Sequence, residues 1–387
     1  MKKKIFVGLL LLVMIIGVTG CGNNSSNSST SSNSNSSNAS YISKLNVSDL
    51  FTDRDLKQTV DTSDAISYTV SDGEDITIIE EGIYVITGSA KNVSIIVNTE
   101  DESKVQLVLS DLTITNESTP CIYVKNADKV FITTTGTNSL SVTGTFTSDG
   151  STNTDAVIFS KDDLVVNGTG ILNIRSTDNG ITSKDDLKIT GGTININCTS
   201  DGLEANNSIA IKDGTITINS KKDGFHVEYD EDNSVGYIYI AGGTINITAS
   251  DDALHATIVL QIDDGTITTN SREGIEATYI QINGGTINIT ASDDAINAGA
   301  KSSAYTPTIE INGGYITINM GQGDTDAVDS NGNIYINGGT IDITAQSPFD
   351  YDGEAKYNGG TIIVNGEETN EITNQMMGGQ MNHGGRR

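Results

Sequence analysis

The sequence predicts an all-β chain wound as a parallel β-helix, a solenoid of three sheets. Three observations predict it. The first is composition: 41 Gly, 3 Pro and no Trp in 387 residues, with Thr, Asn, Ser, Ile and Asp prominent, a mixture poor in helix formers and rich in strand and turn residues. The second is a repeat that begins Gly-Thr-Ile-x-Ile at Gly192, Gly214, Gly243, Gly285 and Gly339, with looser copies at Gly170, Gly265, Gly314 and Gly360. Successive copies lie 22, 22, 29, 22, 20, 29, 25 and 21 residues apart, so the unit is 20–22 residues and the longer units carry insertions. The third is the content of each unit: three short β signals, as in Thr193-Ile-Asn-Ile, Gly202-Leu-Glu-Ala and Ser208-Ile-Ala-Ile, separated by polar turns.

Within the first and third signals Ile alternates with polar or small residues, which makes one face apolar and the other wet. A single coil buries nothing. Coils stacked at the ~4.8 Å strand spacing enclose a column of aliphatic side chains. Asn246-Ile-Thr and Asn288-Ile-Thr are read as this repeat, with Asn ladders between coils, rather than as glycosylation sites. Cys198 falls where Ala249, Ala291 and Ala345 stand in other units, and Cys121 lies several coils away, so both are expected to be inert core thiols.

In chain order, residues 1–20 have the form of a lipoprotein signal peptide. Lys2-Lys3-Lys4 precedes an apolar run from Ile5 to Val18, and Val18-Thr19-Gly20-Cys21 resembles a lipobox whose Cys21 is lipidated. Residues 21–41 are almost purely Ser and Asn and read as a flexible tether. Residues 42–68 are expected to cap the open N-terminal end, residues 69–366 to form the β-helix, and the Gly/Met-rich residues 367–387, with Met376, Met377, Met381 and His383, to form a flexible tail. This places the protein on the extracellular face of the cell membrane. Without the leader's three lysines, 50 acidic residues face 19 basic ones, a balance that repels nucleic acid and attracts cations.

Stacking turns equal repeat positions into columns. The second β signal starts with an acid in successive coils: Asp201, Asp223, Asp252, Glu273, Asp294 and Asp326. Two carboxylates ~5 Å apart repel by about 1 kcal/mol in water and about 3 kcal/mol at an effective dielectric of 20. A hard dication taking carboxylate, carbonyl and water oxygens would relieve this, and calcium is the expected ion; the alternative is that the acids splay into water. The column just before it, Lys222, Asp251, Arg272 and Asp293, alternates in sign and reads as a salt-bridge ladder.

Three residues beyond each acid, another rung holds Glu204, His226, His255 and Glu276. It suits a polar binding face, a His/Glu transition-metal site, a pair of general bases, or an outward hydrogen-bonded ladder. In the third signal Tyr237, Tyr239, Tyr279 and Tyr335 take polar-phase positions, and so are expected to be exposed on one face, where they suit a sugar ring or pack across coils.

Three stretches carry a family resemblance: Asp75-Ile-Thr-Ile-Ile-Glu-Glu-Gly-Ile-Tyr-Val-Ile-Thr-Gly88, Ser160-Lys-Asp-Asp-Leu-Val-Val-Asn-Gly-Thr-Gly170, and Gly180-Ile-Thr-Ser-Lys-Asp-Asp-Leu-Lys-Ile-Thr-Gly-Gly-Thr193. Together they resemble the carbohydrate-binding-domain family of bacterial surface proteins. The resemblance implies a right-handed, pectate-lyase-like β-helix, bound calcium, and a polysaccharide ligand such as cellulose or an acidic, pectin-like glycan. Three classes then compete: a non-catalytic binding module, a calcium-dependent lyase acting on uronate polymers, and a structural spike. A lyase needs a Lys or Arg base of depressed pKa, for which Lys221, Lys222 and Arg272 are the candidates beside the acid column. The lack of Trp speaks against a flat platform for crystalline cellulose.

Overall fold

The computed structural model describes residues 43–374 apart from 230, 231, 233 and 322–324. The leader, Cys21, the tether and the Met/His segment of the tail lie outside the described residues. Among the described residues there is no helix. Each repeat unit makes one coil with three strands, and each strand pairs in parallel with its equivalent one coil later.

The first sheet takes the Thr-Ile-x-Ile segments, including Thr193–Asn197, Thr215–Asn219, Thr244–Thr248 and Thr266–Ser271. The second takes Leu203–Ala205, Phe225–Val227, Asp252–Ala256 and Glu273–Ala277, within a ladder of 12 strands from Ile76–Ile78 to Ser347–Tyr351. The third takes Ser208–Ile211, Tyr237–Ile240, Val259–Ile262 and Tyr279–Ile282. In the N-terminal coils the first and third sheets are continuous through the long strands Gly82–Lys91 and Lys104–Asn116, with a register shift between Thr87 and Gly88.

Registers are those the repeat dictates. Ile194, Ile216, Ile245, Ile267 and Ile287 form one inward column, and Leu203, Phe225, Leu254, Ile275 and Ile296 form another; all are buried. Each aliphatic side chain so buried contributes roughly 1.5–3 kcal/mol. Glycine has two uses here. Gly214, just before a first-sheet strand, takes φ +119°, a left-handed turn that a side chain would strain. At Gly224 a Cβ would stand 2.5 Å from both the Ala253 carbonyl oxygen and Ile247 Cγ2, so the coil spacing there leaves no room for a side chain.

Four expectations are corrected. Residues 42–68 do not simply cap an end: only Ile66–Thr69 adds to the edge, pairing with the 84–87 segment, while residues 43–58 run along the outside of the third sheet as a strap. Its backbone and side chains meet Gln261, Gln281, Lys188, Thr190 and Gly168, because that sheet's outward residues offer a row of amides and buried lysines. The tyrosine face is correspondingly covered. Tyr239 and Tyr279 are buried, with Phe51 6.3 Å from the Tyr239 ring and Lys44 Nζ 4.2 Å from that of Tyr279; Tyr237 and Tyr335 are half-buried.

The tail begins with structure: Glu367–Thr369 pairs antiparallel with 362–364, and Asn374 donates to the Tyr351 carbonyl. The asparagine ladder sits elsewhere too. Asn246 and Asn288 alternate with Thr217, Thr268 and Thr317 in their column, whereas Asn283, Asn312, Asn337 and Asn358 link side chain to side chain at 2.7–2.8 Å. Cys121 and Cys198 are free and buried, and burial pushes both thiols up to about 12.

Candidate functional site

The outward face of the second sheet carries the chemistry. Its central column reads Tyr123, Phe159, Thr182, Glu204, His226, His255, Glu276, Asn297 and Asp329 in register. Tyr123 and Phe159 are buried, so the accessible part starts at Glu204. A groove of about 620 Å³ lies there, lined among others by Asp155, Asp178, Asp201, Glu204, Lys222, Asp223, His226, Asp252, His255, Arg272, Glu276 and Lys301. The strands present these side chains because inward positions are spent on Leu203, Phe225, Leu254 and Ile275, leaving alternate residues to face out.

The acid column is relieved in three ways that spacing alone does not reveal. The first is backbone: Asp201, Asp223 and Asp252 each donate their amide N–H to the carboxamide or carboxylate one coil below, on Asn179, Asp201 and Asp223, at 2.9 Å. The amide of Asp326 does the same to Asp294 at 3.2 Å. The second is imidazole: Nδ1 of His226 lies 2.6 Å from Asp223 Oδ2, and Nδ1 of His255 lies 3.1 Å from Asp252 Oδ2. The third is Arg272, which sits 2.5 Å from Asp251, 2.7 Å from Asp293, 2.8 Å from Glu273 and 3.4 Å from Asp252. The expected sign alternation in the neighbouring column is thus realised around Arg272.

Electrostatics follow this geometry. Burial pushes Asp223 up, but the His226 hydrogen bond and the Asp252 amide outweigh it and hold the carboxyl below its ordinary range. Burial opposes charge on His226, yet the hydrogen bond to Asp223 and the charges of Asp223, Asp201 and Glu204 raise it to about 9. His255 is raised in the same way by Asp252 and Glu276. Burial raises Asp201, Asp252, Glu273 and Glu276. It takes Asp294 and Asp329 furthest, to about 7, with the help of acidic neighbours: Asp329, Asp293 and Glu273 around the first, and Asp350, Asp326 and Asp352 around the second.

Of the residues singled out by sequence, the fold brings Asp201, Glu204, Asp223, His226, Asp252, His255 and Glu276 into one groove. Glu273 is drawn to Arg272, and Asp294 and Asp326 lie further along the same sheet. Tyr237, Tyr239, Tyr279 and Tyr335 belong to the third sheet, a different face. Sequence reasoning missed Asp155, Asp178, Lys184, Glu228 and Lys301. Lys184 bonds Glu204 and Lys301 bonds Glu276, at 2.8 and 2.7 Å. The long repeat units were the available signal, since an insertion after a second-sheet strand supplies Glu228 and another supplies Lys301.

A family model described as carbohydrate-binding domain-containing protein matches residues 72–327. A protein of the same description from Acetivibrio thermocellus is 41% identical over 216 residues, 54% of this chain and 74% of the relative. Among solved structures, a polysaccharide lyase-like protein from C. thermocellum, a gadolinium derivative, aligns with TM-score 0.50 and 24% identity over 67% of this chain and 98% of its own. That last likeness concerns the fold.

Proposed function

We propose, since this chain belongs to the carbohydrate-binding domain-containing protein family, that it captures polysaccharide in the groove of the second sheet without cleaving it. The observation that carries this reading is the groove's mixed lining, in which the carboxylates of Asp178, Glu204 and Asp251 lie among the cations of Lys222, Arg272 and Lys301. Ionised carboxylates accept hydrogen bonds from sugar hydroxyls, and lysine and arginine donate to hydroxyls or uronate carboxylates. The buried Tyr239 and Tyr279 take no part in this contact.

The lyase reading is weaker at Arg272. A base must give up its proton, but the hydrogen bond to Asp251 and the charges of Glu273, Asp251 and Asp252 raise the Arg272 guanidinium despite partial burial. Calcium belongs to the proposal at the C-terminal part of the acid column. Asp223, Asp252 and Glu273 lie against imidazoles or Arg272, whereas Asp294, which accepts the Asp326 amide, and Asp329 are half-buried beside further carboxylates. An all-oxygen set of this kind suits a hard dication, which would hold Asp294, Asp326 and Asp329 charged and take a uronate carboxylate at an open position. We take the coil to be right-handed, the usual hand of a parallel crossover. The Lys2–Cys21 pattern supports export and lipid anchoring at the extracellular face of the cell membrane.

The test is a pull-down on cellulose and polygalacturonate, with calcium or with chelator, while the absorbance of unsaturated uronate is followed. The expected result is retention on polygalacturonate with calcium, release by chelator and a flat absorbance trace. Saturating calcium should also raise stability by about 2.7 kcal/mol at a hundredfold excess over its dissociation constant. Failure to bind any glycan would end the binding reading, equal binding in chelator would remove calcium from it, and rising absorbance would replace it with a lyase.

A further inference from the structure

We propose that His226 and His255, with Asp223, Asp252 and Glu276, form a site for a divalent transition metal of the zinc class. The two histidines are register partners on adjacent coils, with ring centroids 5.0 Å apart. Both turn Nδ1 toward carboxylates rather than toward water. His255 Nδ1 has three such oxygens around it, on Asp252 at 3.1 Å, Glu276 at 3.4 Å and Asp223 at 3.8 Å. A single N–H can satisfy one of them. The ligand atoms of Asp223, His226 and His255 lie within 4.8 Å of one another, and so do those of Asp252, His255 and Glu276. Ligand atoms around a tetrahedral zinc ion are about 3.3 Å apart, so side-chain rotations would draw either set together around one ion.

A second observation points the same way. His226 Nε2 lies 3.4 Å from Glu228 Oε2, the outer carboxylate contact that metal-bound histidines make. Nδ1 of His226 lies 2.6 Å from Asp223 Oδ2, a contact in which a metal ion would take the place of the shared proton. Two acceptors at that separation need a cation, either a proton or a metal ion. The donors are mixed nitrogen and oxygen, which favours zinc, nickel or copper over calcium, whose ligands are oxygens. This site is therefore distinct from the calcium proposed at Asp294 and Asp329. The His226 and His255 side chains keep 20% and 17% of their surface exposed, so the ion would retain a position open to the groove.

The test uses the full chain, stripped with chelator, and zinc alone, titrated in competition with a chromophoric zinc indicator. The expected result is one equivalent bound with micromolar or tighter affinity, unmoved by a hundredfold excess of calcium. Affinity should fall at least tenfold in both His226→Ala/His255→Ala and the shape-conserving His226→Gln/His255→Gln, with melting in chelator confirming that the variants are folded. His383→Ala, which removes the third histidine, in the tail, should bind as the wild type does. Cobalt(II) should give visible bands of a low-coordinate N/O site that vanish in the double variants. Failure of the wild type to bind, full binding by a folded double variant, loss of binding in His383→Ala, or displacement by calcium would each overturn the proposal.

Discussion

Asp55→Ala should release the strap from the third sheet. The Asp55 side chain is fully buried, its Oδ2 accepts the Thr52 amide at 2.9 Å, and Nζ of Lys129 and of Lys188 each stand 3.8 Å away. The backbone carbonyl of Asp55 meanwhile accepts from Asn167 Nδ2 and Thr190 Oγ1. Removing one partner of a buried ionic cluster costs about 3–5 kcal/mol, because the remaining charges stay buried and unpaired. The low end applies, since Lys129 keeps Asp163 at 3.4 Å. The loss is local: coils touch their neighbours along the axis, while the strap is held across them. Limited proteolysis should therefore cut within residues 43–58 of the variant while the coils stay intact. Asp55→Leu/Lys188→Met, which removes the buried carboxylate and its Lys188 partner while Lys129 keeps Asp163, should recover most of the protection. An Asp55→Ala protein as resistant as the wild type would show that the strap does not depend on the buried charge.

Phe225→Ala should be among the most destabilising single changes in the coils. The ring lies fully buried between Leu203 and Leu254, directly inside the strand that carries His226. Deleting such a side chain costs about 3–5 kcal/mol in lost transfer energy and residual cavity. Because a solenoid is stabilised by nearest-neighbour contacts, the damage falls on the coils that build the groove. Phe225→Leu, which keeps much of the volume, should cost far less. Denaturant unfolding followed by far-UV signal checks both, and a loss below about 1 kcal/mol for the Ala variant would mean the core there recloses.

The sheets and columns were legible because a repeat carries its own register. Once Thr193-Ile-Asn-Ile and Thr215-Ile-Thr-Ile are recognised as equivalent, the pairing of Ile194 with Ile216 and of His226 with His255 follows by counting. What lay outside the repeat was not legible. The strap has no period, and its contacts join residues as far apart as Ser43 and Gln261, so nothing local signals them. The strap is also what covers Tyr239 and Tyr279, since a side chain that points away from its coil is exposed only when no other segment crosses it. The acid column was read correctly as a column but too simply as electrostatics. The hydrogen bond from the Asp252 amide to Asp223 depends on side-chain rotation, and Lys301 reaches Glu276 from an insertion that no repeat position predicts.

The central claim is that the second-sheet groove holds the glycan. The measurement that tests it most directly is polygalacturonate affinity, in calcium, for the wild type, Glu204→Gln/Lys222→Ala and Tyr335→Ala. The first variant alters groove-lining side chains, and the second alters a half-buried residue on the third sheet. The groove variant, folded and melting close to the wild type, should bind at least about tenfold more weakly, a loss of ~1.4 kcal/mol, while Tyr335→Ala binds normally. Normal binding by the groove variant together with loss in Tyr335→Ala would contradict it and move the site to the tyrosine face.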